Sequence, residues 1–210
     1  MELFLTSFAA LFSVLNPLGT LPVYVGLTDG YDGKKRRKTS FSAAFYALLI
    51  LTVFFLIGNQ ILNFFGLSIE ALRIAGGMVI ATSGFALLTG KFSRHKGMKN
   101  ERVKEDIETR EDISLTPIAM PMIAGPGSMS LLIGMFQEQN AFGDRLTNWF
   151  ALLGVCIITF IMLASSHLIV RFLGASGINA ISRIIGFIVI AIGVQYIITA
   201  ASSIVHSFLI

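Results

Sequence analysis

The chain has 210 residues, of which 54% are hydrophobic and only 13% are charged, and its mean hydropathy is +0.77. A soluble domain of this size carries about 25% charged residues. The composition therefore excludes an ordinary cytosolic globule, a disordered chain and, despite the net charge of +4, a nucleic-acid-binding protein. The single cysteine, Cys156, excludes a disulfide framework within the chain, and no Cys/His metal spacing is present.

Uncharged runs define the predicted architecture. In chain order they cover residues 3–28, 39–69, 74–90, 113–137, 146–170 and 184–210. A helix of about 20 residues crosses about 30 Å of hydrocarbon, so we predict an all-α membrane protein with six transmembrane helices. Their predicted bounds are about 3–28, 41–64 and 71–90 in a first unit (1–105), and about 113–137, 146–172 and 180–208 in a second unit (106–210).

Basic residues predict the orientation. Segments 29–38 and 91–112 hold five and seven of them, and Arg171 and Arg183 flank the connection between helices 5 and 6. These 14 of the 16 Lys and Arg residues would lie on one side, with Arg73 and Arg145 on the other. The positive-inside rule then places the three basic segments in the cytoplasm and both termini outside. Segment 91–112 also carries six acids, so we interpret it as a charged cytoplasmic linker, with a regulatory loop as the alternative.

The third helix of each unit carries a matching pattern at an offset of 110 residues. The identities that repeat are Arg73, Ile74, Gly76, Val79, Ile80, Ala81 and Thr89 with Arg183, Ile184, Gly186, Val189, Ile190, Ala191 and Thr199. Three helices per unit would insert the two units in opposite directions. The pattern predicts an inverted 3+3 repeat, a common construction of secondary transporters; the alternative is that small residues recur because membrane helices pack through them.

Prolines fall at the centre of the first helix of each unit. Asn16-Pro17-Leu18-Gly19-Thr20 lies in the middle of run 3–28, and Ala124-Gly125-Pro126-Gly127-Ser128 lies in the middle of run 113–137. Proline removes a donor and clashes with the carbonyl four residues back. We therefore predict that helices 1 and 4 are broken at the bilayer midplane, where unpaired backbone survives only in protein or beside a cavity.

The two breaks suggest a site for a zwitterion. Amides that follow each break, around Leu18 to Thr20 and Gly127 to Met129, would suit a carboxylate. Carbonyls that precede it, around Ser13 to Leu15 and Met122 to Ala124, would suit an ammonium. The predicted substrate-binding residues are Ser13, Asn16, Pro17, Leu18, Gly19, Thr20, Ala124, Gly125, Pro126, Gly127 and Ser128.

These segments resemble the MarC family of bacterial and archaeal integral membrane proteins, which includes the SnatA small neutral amino acid transporters. The resemblance rests on the Asn16-Pro17-Leu18-Gly19 and Ala124-Gly125-Pro126-Gly127 breaks, on Arg73-Ile74-Ala75-Gly76-Gly77, and on Gly177-Ile178-Asn179-Ala180 with Arg183-Ile184-Ile185-Gly186. It implies a six-helix protein of the cytoplasmic membrane, and its SnatA branch implies transport of glycine and alanine.

Charged and polar residues at the helix ends suggest gates. Glu70 and Arg73 are one turn apart and are predicted to pair, and Arg183 is the repeat mate of Arg73. With Asn179 they are predicted to have gating or structural roles, while snorkelling is the alternative for the arginines. His167 and His206 are expected at the interfaces.

The sequence predicts a secondary transporter of small neutral amino acids that works by alternating access and has no catalytic site and no cofactor. A Ser128–His167 dyad lacks the flanking glycines of a nucleophile elbow, which argues against an enzyme. A channel would need a continuous polar stripe, and an exporter of another small or drug-like solute remains the alternative. The coupling ion (H⁺ or Na⁺), the direction of transport and homo-oligomerisation are left open.

Overall fold

The computed structural model describes residues 1–28, 30–90, 113–139 and 141–209, and the predicted linker 91–112 lies outside them. All regular structure in these residues is helical, with no strand. The helices are α1 Glu2–Leu15, α2 Pro17–Leu27, α3 Gly33–Phe65, α4 Ile69–Leu88, a π segment Ser114–Ile123, α5 Pro126–Glu138, α6 Phe142–Ala164 and α7 Ser166–Leu209.

Five helical stretches in the described residues are long and apolar enough to cross a membrane. They are Glu2–Leu21, Gly33–Phe65, Ile69–Leu88, Phe142–Ala164 and Ser176–His206. Their outward faces carry large apolar side chains, such as Phe64 at 84% and Phe187 at 67% exposed. Such exposure is incompatible with an aqueous surface and suits lipid contact.

The run 113–137 is not one of these five stretches, because its prolines interrupt it. The residue before a proline is driven out of the helical region. Thr116 (φ −129°, ψ 121°) and Met120 (φ −125°, ψ 125°) each precede a proline and are extended within the π segment. Gly125 (φ −88°, ψ 171°) precedes Pro126 and separates the π segment from α5. This run therefore enters the bundle as two short helical pieces.

Several helices end at other residues than the charge pattern predicts. α3 begins at Gly33 instead of residue 41, because Asp32 caps it by accepting a 2.6 Å hydrogen bond from the Lys35 amide, and lysine and arginine are good helix formers. α6 ends at Ala164 instead of residue 172, and α7 then runs from Ser166 to Leu209 with a kink at Gly174 (φ 65°). The start of α3 is therefore determined by the Asp32 cap and by helix propensity, not by where the charged segment ends.

The most extensive helix pair is α4 with α7. It is built on glycines: a Cβ atom on Gly77 would lie 2.6 Å from the Gly193 carbonyl oxygen, and one on Gly84 would lie 2.7 Å from that of Gly186. As residue numbers rise along α4 they fall along α7, so the two helices are antiparallel. A separate buried core joins α1, α3, α5 and α6 around residues such as Leu11, Ala47, Leu132 and Leu152.

Candidate functional site

Asn16 joins α1 to α2. It adopts the left-handed conformation (φ 48°, ψ 63°), which asparagine tolerates better than other non-glycine residues. Its backbone amide donates to the Phe12 carbonyl (3.0 Å) at the end of α1. Its side-chain Oδ1 accepts a hydrogen bond from the Gly19 amide (3.1 Å) at the start of α2. One residue thus caps two helices that meet inside the bundle.

The other side-chain atom of Asn16 is a buried donor without an acceptor. Asn16 is only 3% exposed, and its Nδ2 has no hydrogen-bond partner within the described part of the chain. The assignment of the two amide atoms is fixed because Oδ1 must accept from the Gly19 amide. A buried unpaired donor costs about 1–3 kcal/mol. The feature is therefore expected to have a function, and it suits a ligand that brings an acceptor.

Gly19 makes room for this amide. A Cβ atom on Gly19 would overlap Asn16 Nδ2 and would lie 2.9 Å from a methyl carbon of Leu87 on α4. The sequence predicted that the Leu18–Thr20 amides would face a ligand. The Thr20 amide instead donates to the Asn16 carbonyl (3.3 Å) and the Gly19 amide to Oδ1. The donor that remains unpaired at this break is Asn16 Nδ2, which sequence reasoning did not single out.

The second break lies at Ala124 and Gly125. Ala124 and Gly127 are buried, Gly125 is half-buried and Pro126 is exposed. Ser128 is 3% exposed and its hydroxyl donates to the Ile123 carbonyl (3.0 Å). That carbonyl was among those predicted to be open to an ammonium, and the serine occupies it instead.

The structure places both breaks against α4. A Cβ atom on Gly127 would lie 2.8 Å from Ile80 Cγ1, just as one on Gly19 would meet Leu87. Ile80 and Leu87 are seven residues apart, or about 10 Å along a helix. The two breaks therefore pack against the same neighbouring helix at different levels along its axis. Of the other predicted substrate-binding residues, Pro17 and Thr20 are buried, and Ser13 and Leu18 are half-buried.

A polar cavity of about 240 Å³ opens between α1, α5, α6 and α7. Its polar lining includes Ser7, Glu138, Asn148 and Tyr196. Ser7 Oγ donates to Asn148 Oδ1 (2.7 Å), and both residues are at most 5% exposed. Sequence reasoning missed this pair, although an asparagine inside the apolar run 146–170 was a usable signal.

Arg73 pairs with Glu138, not with Glu70. The Arg73 guanidinium lies 2.8 Å from the Glu138 carboxylate, and its side chain is 12% exposed. The predicted Glu70–Arg73 pair was wrong, because the end of α5 brings a carboxylate beside Arg73, whereas Glu70 accepts a 3.4 Å hydrogen bond from Ser203 on α7. Arg183 and Asn179 are exposed, so Arg183 differs in burial from Arg73, with which the 110-residue offset aligns it.

His167 and His206 lie near opposite ends of α7. His206 is exposed, whereas His167 is half-buried and its Nε2 has no partner in the described residues. Among these same residues, no group of three or more His, Cys, Asp or Glu side chains is placed to hold a metal ion. The polar groups near the breaks are therefore neutral amides and hydroxyls, with one ion pair at the end of the polar cavity.

Comparisons with known proteins agree with this description. A family model described as MarC family integral membrane protein matches residues 1–205. A UPF0056 membrane protein of Methanocaldococcus jannaschii is 34% identical over 94% of this chain and 95% of its own length. One from Buchnera aphidicola of Schizaphis graminum is 32% identical over 99% and 96%.

The UPF0056 inner membrane protein MarC of Salmonella typhimurium is 32% identical over 94% of this chain and 93% of its own length. No solved structure matches. The family match covers nearly the whole chain, the relatives are similar along their full length, and the helices are apolar enough to cross a bilayer. This chain is therefore a multi-pass inner-membrane protein that belongs to the MarC family of integral membrane proteins.

Proposed function

We propose that the protein is a secondary transporter of small neutral amino acids such as glycine and alanine, and that Asn16 binds the substrate carboxylate. The observation that carries the proposal is the buried Asn16 Nδ2 with no acceptor, held at the N-terminus of α2 by the cap to Gly19. A carboxylate there would accept from Nδ2 and gain the positive end of the helix dipole. Neutral amides suit a ligand whose own charges cancel.

The polar cavity, which α1 lines on one side, would give a solute access to the bundle. Its volume of about 240 Å³ is below the range of about 300–1,000 Å³ typical of drug-sized ligands, which favours a small solute over a drug. Glu138 lines this cavity, and its ion pair with Arg73 would act as a gate. Because Arg73 is largely buried, opening this gate must provide its guanidinium with another partner or with water.

We also infer that the chain crosses the membrane six times, in an inverted repeat. The π segment and α5 together would form the crossing that is added to the five apolar stretches, and this crossing is the fourth in chain order. The glycine contacts support this interpretation. The α4–α7 contacts, Gly77 with Gly193 and Gly84 with Gly186, are centred between Ile80 and Ile190. Those two isoleucines are the residues that the 110-residue offset aligns. A two-fold axis in the membrane plane, passing between them, would relate the two units.

The orientation can be tested with two exposed glycines, Gly33 and Gly143, at which a Cβ atom would meet nothing within 4 Å. In a Cys156→Ala background, we expect Gly33→Cys to resist a membrane-impermeant thiol reagent in intact cells, whereas Gly143→Cys reacts. Both should react after the cells are permeabilised. The reverse pattern would place Lys34–Lys38 outside and contradict the predicted orientation.

The function itself is tested with the purified chain in proteoliposomes. We expect saturable uptake of labelled glycine, competition by alanine, and faster entry when the vesicles are preloaded with unlabelled glycine. Such counterflow requires a carrier that reorients, and a channel does not produce it. Imposed proton and sodium gradients would identify the coupling ion. If glycine and alanine neither bind nor enter under either gradient, the amino acid proposal fails.

A further inference from the structure

Five consecutive cations, Lys34 to Lys38, begin α3. Four of them are exposed, and Arg36 is half-buried. The first turn of the helix holds no acidic residue, and Asp32 is used as the N-cap. The N-terminus of a helix carries the positive end of the helix dipole, so cations are unfavourable there. The five cations therefore lie at the end of α3 where the helix dipole is already positive. An anion that belongs to another molecule would balance this charge.

The cations divide between two faces of α3. At 100° per residue, Lys34, Arg37 and Lys38 lie on the same face as Phe41 and Phe45. The remaining two have contacts nearer the start of the helix. Arg36 donates to the Tyr31 carbonyl (3.0 Å), and the Lys35 ammonium lies 4.1 Å from the centre of the Tyr31 ring. Three cations are therefore left above the face that Phe41 begins.

That face forms one wall of an apolar groove of about 150 Å³, here called the α3–α6 groove. Its lining includes Phe41, Phe45 and Leu48 of α3 and Leu153, Ile157 and Phe160 of α6. The Phe41 and Phe160 rings meet edge to face, with centroids 5.9 Å apart. Phe45 and Ile157 are each 49% exposed, so the groove is open to the bilayer.

The dimensions match one lipid leaflet. Lys38 and Leu48 are ten residues apart, which is about 15 Å along the helix. Half of the hydrocarbon core of a bilayer is also about 15 Å thick. A lipid with its headgroup at Lys38 would thus extend an acyl chain over the length of the α3–α6 groove.

We propose that Lys34, Arg37 and Lys38 together with the α3–α6 groove form a binding site for an anionic phospholipid. The three cations bind the headgroup phosphate, and the groove takes one acyl chain. The negative headgroup neutralises both the cations and the adjacent helix dipole. This site is separate from the proposed amino acid site, which lies in the bundle interior at Asn16.

The test is native mass spectrometry of the full chain in detergent, titrated with dioleoyl phosphatidylglycerol or dioleoyl phosphatidylcholine. We expect one phosphatidylglycerol to bind at least about tenfold more tightly than phosphatidylcholine. The triple variant Lys34→Gln, Arg37→Gln, Lys38→Gln should weaken phosphatidylglycerol binding about 100-fold, since each of the three cations near an anionic lipid contributes about fivefold. Glutamine preserves helix propensity, so folding should be retained.

Lys35→Gln is the matched control, since it removes a cation from the same turn but from the other face. It should change phosphatidylglycerol binding less than about twofold. Ile157→Trp, which fills the α3–α6 groove at an exposed position, should weaken the binding of both phosphatidylglycerol and phosphatidylcholine. Equal retention of the two lipids, or wild-type phosphatidylglycerol binding by the triple variant, would overturn the proposal. So would a dimer that Ile157→Trp dissociates, because a second copy would then occupy the groove.

Discussion

Asn16→Asp should reduce glycine affinity and glycine uptake about 10- to 100-fold. Aspartate is as good an N-cap as asparagine and also tolerates the left-handed conformation. It can therefore keep the hydrogen bond from the Gly19 amide while it removes the Nδ2 donor. A hydrogen bond to a charged group contributes about 1.5–3 kcal/mol, which corresponds to this range of affinity. Calorimetry and proteoliposome uptake measure the two effects.

Asn63→Asp is the matched control, because Asn63 is an exposed asparagine near the end of α3. It should leave glycine binding and uptake unchanged. Asn16→Ala should lose the cap as well as the donor, so that it weakens binding and also lowers the free energy of unfolding by about 1 kcal/mol. Normal glycine binding by a stable Asn16→Asp protein would show that Nδ2 is not the carboxylate donor.

The largest stability effect is expected from Gly84→Ala. The added Cβ would lie 2.7 Å from the Gly186 carbonyl oxygen and 2.8 Å from the Ile190 amide nitrogen. Both are backbone atoms, which cannot rotate away, so α4 and α7 would have to separate. We expect a loss of about 3 kcal/mol, at the upper end of the usual cost of overpacking. Denaturant titration of the purified protein in detergent would measure it.

Gly26→Ala provides the comparison. Gly26 lies within α2, and a Cβ there would meet nothing within 4 Å. Alanine should be neutral or slightly stabilising at this position because it has the higher helix propensity. Equal stability of the Gly84→Ala and Gly26→Ala proteins would contradict the close approach of α4 and α7.

Much of the fold could be predicted from the sequence with rules that involve only neighbouring residues. Apolar runs require burial or lipid, and the residue before a proline avoids the helical region. The helical class and the interruptions at Asn16 and Gly125 therefore follow from neighbouring residues alone. Helix ends were less predictable: the basic residues before Phe41 look like a loop by charge, but they are helix formers behind the Asp32 cap.

The candidate site depended more on tertiary contacts. The partner of Arg73 could not be read locally, because Glu138 is 65 residues away and reaches it from another helix. The hydrogen-bond partner of the Ser128 hydroxyl also could not be predicted locally. It depends on how the chain folds at the break, which brings the hydroxyl to the Ile123 carbonyl. Sequence reasoning included Asn16 among the predicted substrate-binding residues, but the unpaired Nδ2 became visible only through burial and the cap to Gly19.

The three extended residues before prolines, Thr116, Met120 and Gly125, make the two breaks unequal in stiffness. Covalent geometry keeps the second break unwound, so a ligand that bound there would spend little free energy on ordering the backbone. In the first break the residue before the proline, Asn16, is left-handed instead of extended, and its geometry also depends on one side-chain hydrogen bond of 3.1 Å. The backbone of the second break is therefore the more rigid of the two. The backbone of the first break can adjust its conformation more easily.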